Sequence, residues 1–164
     1  PSGIDLDFTT WDFPTVTNAL QMFGYTKFNS NNPYYATMFT NKTWGTNIVF
    51  DRINWQSMFV GARNIPPLDN WTFNYVYNMR AMFWSASSFN RDLSNWDVSQ
   101  VTDMSGMFKD AYSFNGDLRN WDVSRVTNME GMFYRATSFD PTNAPWCRRG
   151  SDDPRLSCFT SRYG

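Results

Sequence analysis

Residues 96–133, WDVSQVTDMSGMFKDAYSFNGDLRNWDVSRVTNMEGMF, contain one phrase written twice, and the repetition decides how the rest of the chain is read. Trp71, Trp96, Trp121 and Trp146 stand 25 residues apart without a slip. Residues 96–120 and 121–145 are identical at 13 of 25 positions, and residues 71–95 match 96–120 at 12 of 25. With Trp as position zero, the shared skeleton is Val at +2 and +5, Met at +8, Met-Phe at +11 and +12, Ala at +15, Ser-Phe at +17 and +18, and Leu at +22. Self-similarity at a fixed period of this length is the signature of a stacked repeat architecture.

The pattern wears thin towards the N-terminus but does not vanish. Trp11 opens a related phrase in which Phe13, Val16, Met22 and Phe23 keep register. Six Met-Phe pairs recur at spacings of 16, 20, 24, 25 and 25 residues, and all nine methionines lie in such a pair or three residues before one. The chain therefore divides into a repeat domain over 1–146, degenerate over 1–70 and regular over 71–146, followed by a segment 147–164 outside the pattern. Five to six repeats are expected.

Within a repeat, positions +8, +11, +12 and +15 (Met104, Met107, Phe108 and Ala111) carry the i, i+3, i+4, i+7 stripe of a two-turn amphipathic helix. Thr17, Thr102 and Thr127 stand where that helix would take its N-cap, and Thr127 with Glu130 fits a capping box. Leu93–Val98 and Leu118–Val123 read as short strands with Trp and Val on one face. Asn70, Asn95 and Asn120, each before a Trp, suggest an amide ladder serving turns.

Neither a two-turn helix nor a five-residue strand buries enough surface alone, so repeats must stack into columns. The predicted fold is an α/β repeat, a leucine-rich-repeat-like right-handed solenoid with short parallel strands on one side and short helices on the other. Its core columns would hold Trp71, Trp96 and Trp121, together with Met82, Phe83, Met107, Phe108, Met132 and Phe133. Residues 147–164 would cap the open end, closed by Cys147 and Cys158. A loop of that size contributes about 3 kcal/mol in the chain-entropy account.

The phrase in residues 96–133 resembles the repeat of the BspA-type leucine-rich-repeat surface proteins. The same repeat occurs in a domain of unknown function abundant in microbial surface lipoproteins and in some unicellular algae. The likeness is specific over 71–140 and extends back towards Trp11. It implies a solenoid exported to the cell surface or to a compartment, with binding or adhesion as its role and no catalytic residues. The shortened N-terminal repeats and the Cys pair depart from that pattern.

Composition limits the functional classes. The chain has 164 residues, one domain's worth, with 14 Lys plus Arg against 15 Asp plus Glu. A net charge of -1 offers no electrostatic footprint for nucleic acid or anionic lipid. The chain has no His, which removes the commonest general base and metal ligand. No apolar run is long enough for a membrane-spanning helix. The chain begins at Pro1 with no hydrophobic leader, so either a signal peptide has been removed or this is a fragment. Cys147 and Cys158 read as a disulfide in preference to two free thiols or a zinc site, and point to an oxidising location. The expected setting is extracellular or cell-surface, or alternatively an oxidising organellar lumen. Asn41 and Asn70 head Asn-x-Thr triplets, candidate glycosylation sites.

Catalysis finds little support. Asp12, Asp97 and Asp122, with Asp92 and Asp117, could be paired as glycosidase carboxylates or as calcium ligands. Their return in every repeat fits a turn role better, because an active site needs one unique constellation. Ser or Cys nucleophiles lack a His partner. No enzyme activity, cofactor or metal is expected. The candidate contact residues are aromatics standing where other repeats are polar. Trp84 stands against Lys109, Tyr75 stands against Gln100 and Arg125, and Tyr34 and Tyr35 lie in an irregular insertion. Arg119 and Arg125 form a candidate basic patch. Two roles follow: a surface or secreted module binding protein or glycan, or a structural subunit held in a larger complex.

Overall fold

The structure, a computed structural model, describes residues 18–28, 43–44, 53–68, 71–73, 75–147, 155 and 157–159. Five stretches, 18–28, 54–64, 78–88, 103–113 and 128–138, lie one upon the next as successive layers, and residues 155 and 157–159 add a sixth. Their phenylalanines form one column. Phe23, Phe59, Phe83, Phe108, Phe133 and Phe159 follow one another at ring-centroid distances of 5.3, 5.6, 5.6, 5.7 and 5.6 Å. The column passes directly from Phe23 to Phe59. The Met38–Phe39 pair, and Trp11 with residues 12–17 of its phrase, lie outside the described residues.

Regular secondary structure is sparse. Strands β1 (Thr43–Trp44) and β3 (Thr72–Phe73) pair in parallel, as do β2 (Ile53–Asn54) and β4 (Val76–Asn78). Single parallel bridges join Asn18 to Asn54, Lys27 to Arg63, Asn78 to Asp103 and Asp103 to Asn128. From residue 78 onward the described pairing lies at position +7. The segments Leu93–Val98 and Leu118–Val123, expected as strands around the Trp, form none.

The expected two-turn helix is absent from the regular layers, and the hydrogen bonds show what replaces it. In residues 104–111 the N–H groups of Met104, Gly106, Phe108 and Asp110 donate to the carbonyls of Asn128, Glu130, Met132 and Tyr134 in the next layer, at 2.8–2.9 Å. The N–H groups of Met107, Lys109 and Ala111 fold back to the carbonyls of Met104, Gly106 and Phe108, at 3.0–3.1 Å. The remaining N–H, on Ser105, donates to the Asp103 side chain at 2.8 Å. Every backbone donor of the run is thus satisfied, alternately along the stack and within tight turns.

Left-handed backbone at two recurring positions makes this possible. The +10 column holds Gln21, Ser57, Ala81, Gly106 and Gly131, and the +14 column holds Tyr25, Gly61, Ser85, Asp110 and Arg135, all with φ between 52° and 62°. A right-handed helix cannot contain such residues, and a non-glycine residue there costs about 1–2 kcal/mol. From the 54–64 layer onward, apolar side chains at +8, +11, +12 and +15 still point inward, so the turn run mimics a helical stripe.

The caps differ from expectation in the same way. Asn18, Asn54, Asn78, Asp103 and Asn128 each accept, through the side chain, the N–H two residues on, at 2.8–3.2 Å. These Asx turns launch each run. Thr102 and Thr127 instead donate their hydroxyls to the carbonyls of Tyr77 and Thr102 in the preceding layers. Asn95 and Asn120 are exposed.

The Trp column is fixed by a shared acceptor. Trp96, Trp121 and Trp146 donate their indole N–H to the carbonyls of Leu68, Leu93 and Leu118, at 3.0, 3.0 and 2.8 Å. Trp71, Trp96, Trp121, Met82, Phe83, Met107, Phe108, Met132 and Phe133 are all buried. Beyond them, Cys147 and Cys158 form a disulfide with Cα atoms 6.1 Å apart. The C-terminal layer it tethers accepts the N–H groups of Met129, Gly131 and Phe133 through the carbonyls of Arg155, Ser157 and Cys158.

Candidate functional site

Position +13 leaves the stack sideways, just after the buried Phe of the column. In residues 54–64 it is Val60, which is buried, but in the next three layers it is Trp84, Lys109 and Tyr134. The Lys109 ammonium lies between the two rings, 5.5 Å from the Trp84 centroid and 5.1 Å from that of Tyr134. Cation–π attraction of this kind contributes roughly 0.5–1 kcal/mol at an exposed site. Trp84 keeps 40 % of its surface exposed.

Its orientation is set by Asp110, a buried carboxylate on the left-handed +14 position. One Asp110 oxygen accepts the Trp84 indole N–H at 3.1 Å. The other accepts the Tyr112 hydroxyl at 3.4 Å and faces the Arg135 guanidinium at 3.2 Å. Arg135 also lies over the Tyr112 ring, 5.9 Å from its centroid. The aromatic row is therefore braced from behind by a satisfied, charge-balanced network.

In front of the row lies a cleft of ≈ 330 Å³ that crosses three layers. It is lined by Trp84 and Lys109 at position +13, by Arg80, Ser105 and Glu130 at +9, by Ala81 and Gly106 at +10, and by Asn128. A side chain added at Gly106 would approach only the Lys109 Cβ, at 3.8 Å, so the cleft is open above the backbone.

The other candidate residues are dispersed. Tyr75 is 47 % exposed but contributes nothing to the cleft lining. Arg119 is bound by two N–H groups to Asp117, the closest approach being 2.6 Å. That bond holds the Asp117 carboxyl down at about 2. Arg125 donates to Gln100 at 2.8 Å. The Asp122 carboxyl is also lowered, first by its hydrogen bonds to Ser124 and then by the charge of Arg125. Tyr34, Tyr35, Asn41 and Asn70 lie outside the described residues.

The recurring carboxylates take turn roles: Asp92, Asp97, Asp117 and Asp122 accept the N–H groups of Ser94, Ser99, Arg119 and Ser124. Among the described residues, no three acidic or cysteine side chains converge to hold a metal ion, and no helix is long and apolar enough to cross a membrane. Sequence reasoning found Trp84 but missed Arg80, Ser105, Asn128 and Glu130. The signal was available in Gly106 and Gly131, whose shared position marks a bare strip of backbone.

The family described as "Mycoplasma protein of unknown function, DUF285" matches residues 53–153. No curated protein and no solved structure gives a match.

Proposed function

Since this chain belongs to the DUF285 family, we propose that it is a non-catalytic, BspA-type surface or secreted repeat protein that binds a protein or glycan partner. The fold that fits this role is a leucine-rich-repeat-like right-handed solenoid spanning the repeat region, with its flank as the binding face. The observation that carries the reading is Trp84. An indole with 40 % of its surface in solvent, locked by a buried carboxylate, is an anchor prepared before any partner arrives. The Cys147–Cys158 disulfide supports an extracellular or otherwise oxidising setting.

The test is binding of the labelled chain to a printed array of extracellular-matrix proteins and glycans. Trp84→Ala should abolish the signals that the wild type gives while leaving its unfolding transition in place. Tyr75→Ala is the companion substitution at the second exposed aromatic. Equal binding by both variants would remove this flank from consideration.

The second reading, a subunit held permanently in a larger assembly, draws on Leu20, Met22 and Tyr25. These three large apolar side chains are exposed within one layer, Tyr25 to 77 %. Gentle extraction from the native source followed by size separation distinguishes the two. Elution near 19 kDa fits a free module, and elution only within a large complex fits the subunit.

A further inference from the structure

We infer that the cleft over Gly106 is a binding site for a carboxylated sugar, a uronic or sialic acid residue of a surface glycan. The inference rests on the recognition role proposed above and names the ligand class and the place.

The cleft volume of ≈ 330 Å³ falls at the small end of ordinary ligand sites and suits a single ring with its substituents. Its lining is polar with one aromatic wall. Arg80 and Lys109 are cations with no ion pair among the described residues; of the other arginines on the regular layers, Arg119 and Arg135 face Asp117 and Asp110, and Arg91 and Arg125 donate to the Ile65 carbonyl and the Gln100 side chain. Two cations at one cleft call for an anion, and an arginine fork matches a carboxylate in geometry as well as charge.

A bare anion does not account for the remaining groups. The Ser105 hydroxyl gives its proton to Asp103 and the Asn128 side-chain oxygen accepts the Glu130 N–H, so the Ser105 oxygen can accept and the Asn128 amide nitrogen can donate, as a polyol requires. The Glu130 carboxylate in the lining would oppose a multiply charged phosphate or sulfate. Trp84 lines the cleft beside Lys109, whose ammonium covers one face of the indole, and its remaining apolar surface can take the C–H face of a sugar ring. Ala81 and Gly106 bring no side chain beyond a methyl, so a flat ring can approach the backbone. Lining and charge therefore agree on a ring that is apolar on one face, hydroxylated at its edge and singly anionic.

The experiment titrates the ¹⁵N-labelled chain with methyl glucuronide, N-acetylneuraminic acid methyl glycoside, methyl glucoside and sodium acetate, following the Trp84 indole N–H, assigned from the spectrum of Trp84→Phe. Shift of this signal by at least one carboxylated sugar is expected, with the neutral glucoside and acetate at least about tenfold weaker. The preferred sugar distinguishes a uronide source from a sialoside. Arg80→Gln should weaken binding by about tenfold, the effect expected for a charge-assisted hydrogen bond, while Arg125→Gln should leave it unchanged. Equal response to acetate would reduce the site to an anion contact, and equal response to methyl glucoside would remove the charge requirement. A poly-glutamate peptide binding there more tightly than either sugar would make it a peptide site. Each of these overturns the proposal. No shift at Trp84 with any sugar overturns it too, while Trp84-dependent array binding would leave the broader recognition role standing.

Discussion

The indole N–H of Trp121 donates to the carbonyl oxygen of Leu93 at 3.0 Å, and the same oxygen accepts the backbone N–H of Trp96 at 3.0 Å. One carbonyl thus closes a turn in its own repeat and receives the aromatic side chain of the next. The arrangement recurs at Leu68 with Trp71 and Trp96, and at Leu118 with Trp121 and Trp146. It gives each Trp a polar reason for its place in addition to burial, and ties the 25-residue period to one hydrogen bond per repeat. In Trp121→Phe the ring stays apolar but the bond is lost. Leu93 keeps its backbone donor, so no acceptor is orphaned. The expected loss is about 1–3 kcal/mol, against about 3–5 kcal/mol for Trp121→Ala, where a cavity is added. Urea unfolding of the two variants measures the difference, and a negligible loss in Trp121→Phe beside a full loss in Trp121→Ala would show that packing alone holds the Trp column.

Met107 tests the inward face of the turn run. Its side chain is completely buried between layers. Met107→Asp would place an unpaired carboxylate there, at several kcal/mol against a total stability of about 5–15 kcal/mol. Loss of cooperative unfolding is expected by circular dichroism. A soluble, folded variant would refute the register in which +8, +11, +12 and +15 face the core.

That register was legible because burial alone sets it. Residues at +8, +11, +12 and +15 must face inward whether the backbone is a helix or a chain of turns, so Met104, Met107, Phe108 and Ala111 gave the core correctly and the backbone wrongly. What separates the two is φ at +10 and +14. The sequence marks these positions faintly, by Gly106 and Gly131 in one column and Gly61 in the other, and hides them behind Ala81, Ser85 and Arg135. The Asx caps at +7 were equally readable in principle, since Asp103 and Ser105 fall at turn spacing. They were overshadowed by the Thr beside them. Trp84 was found as an aromatic out of pattern. The cleft beside it was not, because it is defined by three layers at once and by an absent side chain.

The left-handed column predicts a stabilising substitution. Ala81 has φ of 52° at the position that Gly106 and Gly131 occupy in later repeats. Ala81→Gly relieves about 1–2 kcal/mol of backbone strain and concedes roughly 0.5–1 kcal/mol of chain entropy. A gain of up to about 1 kcal/mol is expected in chemical denaturation. The reciprocal Gly106→Ala, where space is open but φ is 61°, should lose about as much. A destabilised Ala81→Gly would contradict the backbone described for this run.

Acid should release a single exposed bond before it reaches the core. Asp117 is held at about 2 by its hydrogen bonds to Arg119, below the ordinary value of 3.8. A carboxyl lowered in the folded state stabilises that state above its unfolded pKa, and the contribution fades as pH falls from about 4 towards 2. Carbon-detected titration of the Asp117 carboxyl should show the low midpoint, and Arg119→Ala should return it towards 3.8. Both side chains are solvent-exposed, so the unfolding midpoint at neutral pH should hardly move.

The layer at residues 155 and 157–159 is the last among the described residues and carries a covalent tether. The amides of Met129, Gly131 and Phe133 donate outward to Arg155, Ser157 and Cys158, whereas the corresponding amides of Met104, Gly106 and Phe108 donate to a full repeat. Cys147→Ser with Cys158→Ser removes the link across the intervening loop, and about 3 kcal/mol should be lost in the chain-entropy account. The loss should not be uniform. Local opening begins where a layer has a neighbour on one side only, so hydrogen exchange at Met129, Gly131 and Phe133 should accelerate well before exchange at Met104, Gly106 and Phe108. Uniform acceleration across both sets would mean that the disulfide stabilises the whole stack as one cooperative unit, and that the terminal layer has no separate opening of its own.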